Sequence, residues 1–95
     1  MGAPTVYNTD GGYLVTGGTD AKAVVTSRIR VKSFTFVPNA ANDSVALTNA
    51  KGVDVYTMKA AAAENICDHF DGGTPFEGLN VTLSASAAKL YIQVV

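Results

Sequence analysis

Hydrophobic and polar residues alternate most regularly in residues 28–38, RIRVKSFTFVP, and this pattern predicts the central strand of the protein. One side of the strand is apolar up to Val31, and the other side carries the basic residues Arg28, Arg30 and Lys32. Phe34 and Phe36 then lie on the side of the strand that the basic residues occupied before them. Because successive strand side chains point to opposite faces, a flat strand cannot bury both sets. We therefore predict a β-bulge near Ser33, or a strand that passes from one sheet to the other.

Shorter runs with β-strand character flank this segment, separated by turn clusters rich in glycine and asparagine. They cover residues 5–7, 13–16, 23–26, 44–48, 53–59, 66–70, 79–84 and 89–95. We predict one hairpin between 44–48 and 53–59, with Gly52 at positive φ, and a second between 79–84 and 89–95. Residues 71–75 are predicted to be a loop. The alanine run 60–63 allows one helical turn or a continued strand.

These elements predict an all-β fold, a small antiparallel β-sandwich or β-barrel of seven to eight short strands. Residues 23–95 form the β-sandwich domain. Residues 1–22, rich in Gly, Thr, Asn and Asp, form an N-terminal extended arm or edge hairpin. As a hairpin this segment would close the edge of the sheet, and as an arm it would lie on a neighbouring subunit.

Composition narrows the function classes. The chain has 95 residues, enough for one domain, and its apolar share of 47% includes many alanines and no Trp. Small side chains bury little area, so a thin core supported by oligomerisation is expected. A net charge of −1 with 16% charged residues argues against nucleic acid as a partner. No apolar run approaches the ~20 residues of a membrane helix, so no membrane partner is expected.

One group of residues has the side-chain types needed for metal binding or nucleophilic catalysis. On a strand, Cys67, His69 and Asp71 share a face and offer ligand types suited to zinc. Their i, i+2, i+4 spacing forms a line, and a fourth ligand would have to come from elsewhere. We interpret them as a half-buried cysteine and a surface histidine, too far apart for a nucleophilic pair. Phosphate-loop and nucleophile-elbow motifs are missing. We expect no enzyme activity and no cofactor.

The aromatic residues have two interpretations. Phe34 and Phe36 are expected to anchor the core. The tyrosines provide either sheet packing or a stacking platform for sugars, and the second interpretation makes a carbohydrate-binding module an alternative function.

From residue 28 to the end, the order of motifs resembles a family of small structural proteins of tailed bacteriophages. The similarity lies in the basic and hydrophobic strand RIRVKSFTFVP, the turn LTNAKG, the segment FEGL before a strand, and SA before the terminal YIQV. Residues 1–27 have no counterpart in this resemblance. Members of the family are compact β-sandwiches that belong to the virion.

The resemblance implies a capsid decoration, or cement, protein that stabilises the shell through oligomeric contacts of β-edges and loops. Its partners would be the major capsid protein or other virion subunits and further copies of itself, with a trimer favoured. It would be located in the virion, assembled in the host cytoplasm. A component of the tail or of the head–tail connector is the alternative within the same family. The candidate interface residues are Tyr7, Tyr13, Arg28, Arg30 and Lys32.

Overall fold

A computed structural model describes residues 2–95, whose only regular secondary structure is β-strand. The seven strands are β1 (Thr5–Thr9), β2 (Gly12–Thr16), β3 (Lys22–Val37), β4 (Ser44–Thr48), β5 (Asp54–Lys59), β6 (Ile66–Leu83) and β7 (Lys89–Val94). They form one antiparallel sheet in the order β1-β2-β7-β3-β6-β4-β5. The all-β prediction is confirmed. However, β3 and β6 have 16 and 18 residues, because each joins two segments that were predicted as separate strands.

The sheet folds over on itself. In a flat sheet β3 and β5 would lie three strand spacings apart, about 14 Å. Instead, the ring of Phe34 on β3 stacks on Tyr56 of β5 with centroids 5.3 Å apart. The fold is therefore a small β-sandwich whose two layers share the long strands. Layer one contains β1, β2, β7, the second half of β3 and the first half of β6. Layer two contains the first half of β3, the second half of β6, β4 and β5.

A bulge marks the bend in β3. Val31 pairs with Val94 of β7 and Ser33 pairs with Gln93, so Lys32 is an extra residue on β3. After this residue the parity of the strand is reversed, and Phe34 becomes fully buried like Val31 before it. The predicted bulge near Ser33 is confirmed.

A larger irregularity lies opposite, on β6. Between the pairs Val31–Thr74 and Ser33–His69, β3 advances by two residues and β6 by five. The extra length is accommodated at residues 70–73, where Gly72 and Gly73 have φ angles of 74° and 85°. The predicted loop at 71–75 is therefore a bulged part of a continuous strand.

The pairing of the last strand differs from the prediction. β7 pairs with β2 and β3, and the end of β6 pairs with β4, so the predicted hairpin between 79–84 and 89–95 is wrong. The reason is that both segments are apolar on one side and need different partners. Leu83 lies opposite Val45 in layer two, whereas Leu90 lies opposite Val15 and Phe36 in layer one. The predicted β4–β5 hairpin is confirmed, with Gly52 at φ 82°.

The N-terminal segment is an edge hairpin. β1 and β2 are joined by Asp10 and Gly11, and β2 pairs with β7 of the same chain. The carbonyl oxygen of Gly2 accepts hydrogen bonds from the backbone N–H groups of Thr19 (3.0 Å) and Asp20 (2.9 Å). Residues 2–16 therefore lie on their own chain and do not form an extended arm.

The core lies between the layers and is apolar. Its fully buried larger side chains are Val15, Val31, Phe34, Phe36, Val45, Leu47, Leu79, Val81, Leu83, Leu90 and Ile92. Phe34 lies at its centre and also contacts the rings of Phe70 and Phe76, with centroids 5.7 and 5.8 Å away. Aromatic contacts through Phe34 therefore add to the aliphatic packing that holds the two layers together.

Replacing Phe34 with Ala is expected to lower the free energy of unfolding by about 3–5 kcal/mol, because it leaves a cavity between the layers. Denaturant melts followed by circular dichroism would measure this. Val53→Ala, at a residue that is 58% exposed, is the control and should change stability by less than about 0.5 kcal/mol. A loss of under ~1 kcal/mol for Phe34→Ala would contradict the central position of this ring.

Candidate functional site

A row of side chains crosses the outer face of layer one. Cross-strand register places Tyr7 opposite Leu14, Leu14 opposite Tyr91, Tyr91 opposite Thr35, and Thr35 opposite Cys67. Directly opposed residues share a face of the sheet. The row therefore runs over five neighbouring strands, and we call it the outer row. Its residues alternate along each strand with the buried ones, so it faces away from the core.

The tyrosine end of the outer row is apolar and accessible. Tyr7 is 51% exposed, and Leu14 and Tyr91 are half-buried. Tyr7 and Tyr91 stand two strand spacings apart, about 10 Å. Two residues along β7 on either side, Lys89 and Gln93, supply polar groups on the same face. A surface of this type can stack against sugar rings or against the aromatic residues of another protein.

The structure separates the two predicted interface tyrosines. Tyr13 pairs with Asn8 and Ile92, so it lies on the other face of the sheet from Tyr7, and it packs against the core. Only Tyr7 lies on the outer row. The parity of β2 decides this, because Val15, two residues after Tyr13, is fully buried.

The predicted basic cluster is also divided. Arg28 forms an ion pair with Glu77, with Nη1 and Oε2 2.6 Å apart and both side chains well exposed. Arg30 donates from Nη1 to the carbonyl oxygens of Gly72 (3.1 Å) and Gly73 (3.0 Å). The charge of Arg28 is compensated, and Arg30 supports the bulge of β6. Of the three, Lys32, the bulged residue of β3, is exposed and makes no such contact with another residue of 2–95.

Lys32 borders a surface cavity of about 460 Å³. The other residues that line it are His69, Phe70, Asp71, Gly72, Gly73, Val94 and Val95. Its volume is in the range of small-molecule sites. However, Lys32, His69 and Asp71 are exposed, so the cavity has no buried polar group that would fix the orientation of a ligand.

Cys67 and His69 lie closer together than predicted. Cys67 Sγ is 3.3 Å from His69 Nε2 and accepts a hydrogen bond from Thr35 Oγ1 at 3.2 Å. The expectation that residues two apart on a strand would not make contact is wrong, and Cys67 is exposed where a half-buried side chain was expected. Across residues 2–95, no group of three or more His, Cys, Asp or Glu side chains could hold a metal ion. The pair is a surface thiol beside an imidazole.

Leu14 was not recognised as a surface candidate from the sequence, and Tyr91 was considered only as one of the tyrosines of the alternative sugar-stacking platform. The signal for Tyr91 was available, because inward Leu90 and Ile92 require an outward residue between them. What the alternation could not show is that Tyr91 and Tyr7 lie on the same face, since this depends on β2 pairing with both β1 and β7.

No helix in residues 2–95 is long and apolar enough to cross a membrane. No protein-family model matches the chain. No curated protein matches it either.

Two solved structures are similar to the chain. One is a mutant of the family 29 carbohydrate-binding module CBM29-2 complexed with cellulohexaose. Its sequence is 15% identical, the match covers 97% of this chain and 72% of that chain, and the TM-score is 0.46. The other is a second mutant of the same module, with 16% identity, 97% and 74% coverage, and a TM-score of 0.45. These values are too low to establish a common fold, so function is argued from the residues of the chain itself.

The two glycines of the β6 bulge allow a paired test. Both have positive φ, which costs an L-residue about 1–2 kcal/mol. A Cβ at Gly72 would meet nothing, whereas a Cβ at Gly73 would lie 2.6 Å from Arg30 Cγ and 2.5 Å from Val95 Cγ2. We expect Gly73→Ala to destabilise the protein by at least about 1 kcal/mol more than Gly72→Ala in denaturant melts. Equal losses would show that Arg30 and Val95 do not pack on the bulge.

Proposed function

We propose that this chain is a non-catalytic structural protein of a tailed-bacteriophage virion, a capsid decoration protein that binds through the open edges of its folded sheet. The observation that carries the proposal is the number of these edges. Four strand segments are paired on one side only: β1, β5, the first half of β3 and the first half of β6. An unpaired edge presents a row of N–H and C=O groups to another chain.

Exposed apolar side chains accompany two of the edges. Tyr7 lies on β1, and Val53 and Val55 lie at β5, with 58% and 36% of their surface exposed. Backbone hydrogen bonds to an edge strand supply affinity in strand addition, and neighbouring apolar side chains add contact area. We propose that such contacts join the chain to the major capsid protein and to further copies of itself, as trimers on the shell. Interfaces of standard size bury about 1,600 Å², so many copies would stabilise a shell substantially.

The resemblance of residues 28–95 to virion proteins supports this proposal, and so does the chemistry of the surface. Sixteen per cent charged residues give weak electrostatic repulsion between copies. The two arginines that might have recognised an acidic partner are engaged within the chain. Backbone groups of the edge strands, and the loops, therefore remain as the main means of association.

The outer row supports a second candidate, a carbohydrate-binding module. Tyr7 and Tyr91, about 10 Å apart on one face, match the span of two rings in an extended sugar chain, and Gln93 and Lys89 flank them. In this case a polysaccharide would lie across the strands and stack on both tyrosines.

The decoration proposal predicts that the purified protein co-sediments with shells that lack it, with a copy number comparable to that of the major capsid protein. Val55→Lys, which places a charge on the β5 edge, should reduce binding severalfold. Ala62→Lys adds the same charge in the exposed connection after β5 and should bind as wild type. Absence of co-sedimentation would refute the proposal, and a copy number matching a single ring would indicate the tail or connector.

The carbohydrate candidate predicts that the wild-type protein binds polysaccharides on a glycan array. Tyr91→Ala should then weaken binding roughly tenfold by removing one stacking surface. Val53→Ala, on the opposite layer, should have no effect. An array without hits for the wild-type protein would remove this candidate.

A further inference from the structure

The four open edges are not equally protected. Charged residues on an edge strand oppose pairing with another chain. β5 carries Asp54 and Lys59, the first half of β6 carries Asp68, and the first half of β3 carries Lys22 and two arginines. By contrast, β1 reads TVYNT and contains neither a charge nor a proline. Of the open edges in residues 2–95, β1 is the one without this protection.

The hairpin turn determines which backbone groups of β1 are available. A two-residue connection makes its flanking residues, Thr9 and Gly12, a hydrogen-bonded pair, and such pairs recur at every second residue. Thr9, Tyr7 and Thr5 therefore bond to β2. The N–H and C=O groups of Val6 and Asn8 point away from the sheet.

We propose that β1 pairs antiparallel with β1 of a second copy of this chain, about a two-fold axis at Tyr7. In this register Val6 of each copy meets Asn8 of the other, and all outward N–H and C=O groups of both residues are paired. Shifting the strands by two residues would bring Asn8 opposite Pro4, which has no N–H, or Val6 opposite Asp10 in the turn. The Tyr7-centred register is the one that satisfies both residues in both copies.

The side chains of β1 suit the same register. On the outer face it places Tyr7 opposite Tyr7 of the second copy, and Thr5 opposite Thr9 at both ends. Aromatic pairs and threonine pairs are favourable cross-strand partners. Tyr7 would occupy a non-hydrogen-bonded pair, in which opposed side chains lie closest. The pairing would also join the outer rows of the two copies into one continuous surface.

The β1 pairing would be one of the contacts between copies of the proposed decoration protein, and it rests on that proposed function. The contact is isologous, since the same surface meets itself. It therefore links subunits in pairs and can connect trimers that a different contact holds together. Five residues per copy bury a small area, so the contact is weak for isolated subunits and gains strength when many copies are arrayed.

The test uses opposite charges at the two-fold axis. We expect the wild-type protein to self-associate in sedimentation velocity experiments as its concentration rises. Tyr7→Lys and Tyr7→Glu should each remove the pairwise step of this association, because like charges would face each other across the axis. An equimolar mixture of the two variants should restore it, because a lysine would then face a glutamate.

The control pair is Ala62→Lys and Ala62→Glu, at an exposed residue in the connection after β5. These variants should associate as wild type, and mixing them should change nothing. Circular dichroism melts would show that every variant is folded. A wild-type protein that stays monomeric at all concentrations, or a Lys and Glu mixture that fails to associate, would overturn the β1 pairing. Shell binding by Tyr7→Lys through the β5 edge would separate this failure from failure of the contact with the major capsid protein.

Discussion

The fold depends on bending two long strands at the same place. β3 and β6 run through both layers, and a continuous strand keeps its apolar side on one face only. Lys32 on β3 and residues 70–73 on β6 interrupt the ladder at one level, so both strands turn together and Phe34 enters the core. Arg30 stabilises the bend by bonding to the carbonyl groups of Gly72 and Gly73. Without this paired irregularity, the sheet would present its apolar face to water.

The bend was predictable because it reverses the parity of hydrophobic residues within one segment, and parity can be read directly from the sequence. The partners of each strand were not predictable in the same way. Residues 79–84 and 89–95 are both apolar on one side, and alternation shows which face is buried but not which strand lies alongside. Proximity in sequence favoured a hairpin, whereas burial of Leu83 against Val45 and of Leu90 against Val15 places the two strands in different layers.

The same limitation applies to the candidate surface. Tyr7 and Tyr13 were both predicted to be interface residues, and the structure places them on opposite faces of the hairpin. Arg28, Arg30 and Lys32 share a parity, but one is ion-paired, one supports the β6 bulge and one is the bulged residue itself. Residues on one face of a strand do not always form one surface, because the neighbouring strands can engage them separately. The register of those strands is therefore needed to predict the surface.

A small chain that builds two layers from one sheet cannot protect all its strands. The aromatic cluster of Phe34, Tyr56, Phe70 and Phe76 contacts both layers within the apolar core, and four strand segments remain unpaired on one side. Charge then distinguishes among the edges, since three carry ionised residues and β1 carries none. An edge that remains uncharged while its counterparts are protected is best explained by a partner that covers it. The near-symmetric order of residues in TVYNT, with threonine at both ends and tyrosine at the centre, makes a second copy of the same strand the partner that fits best.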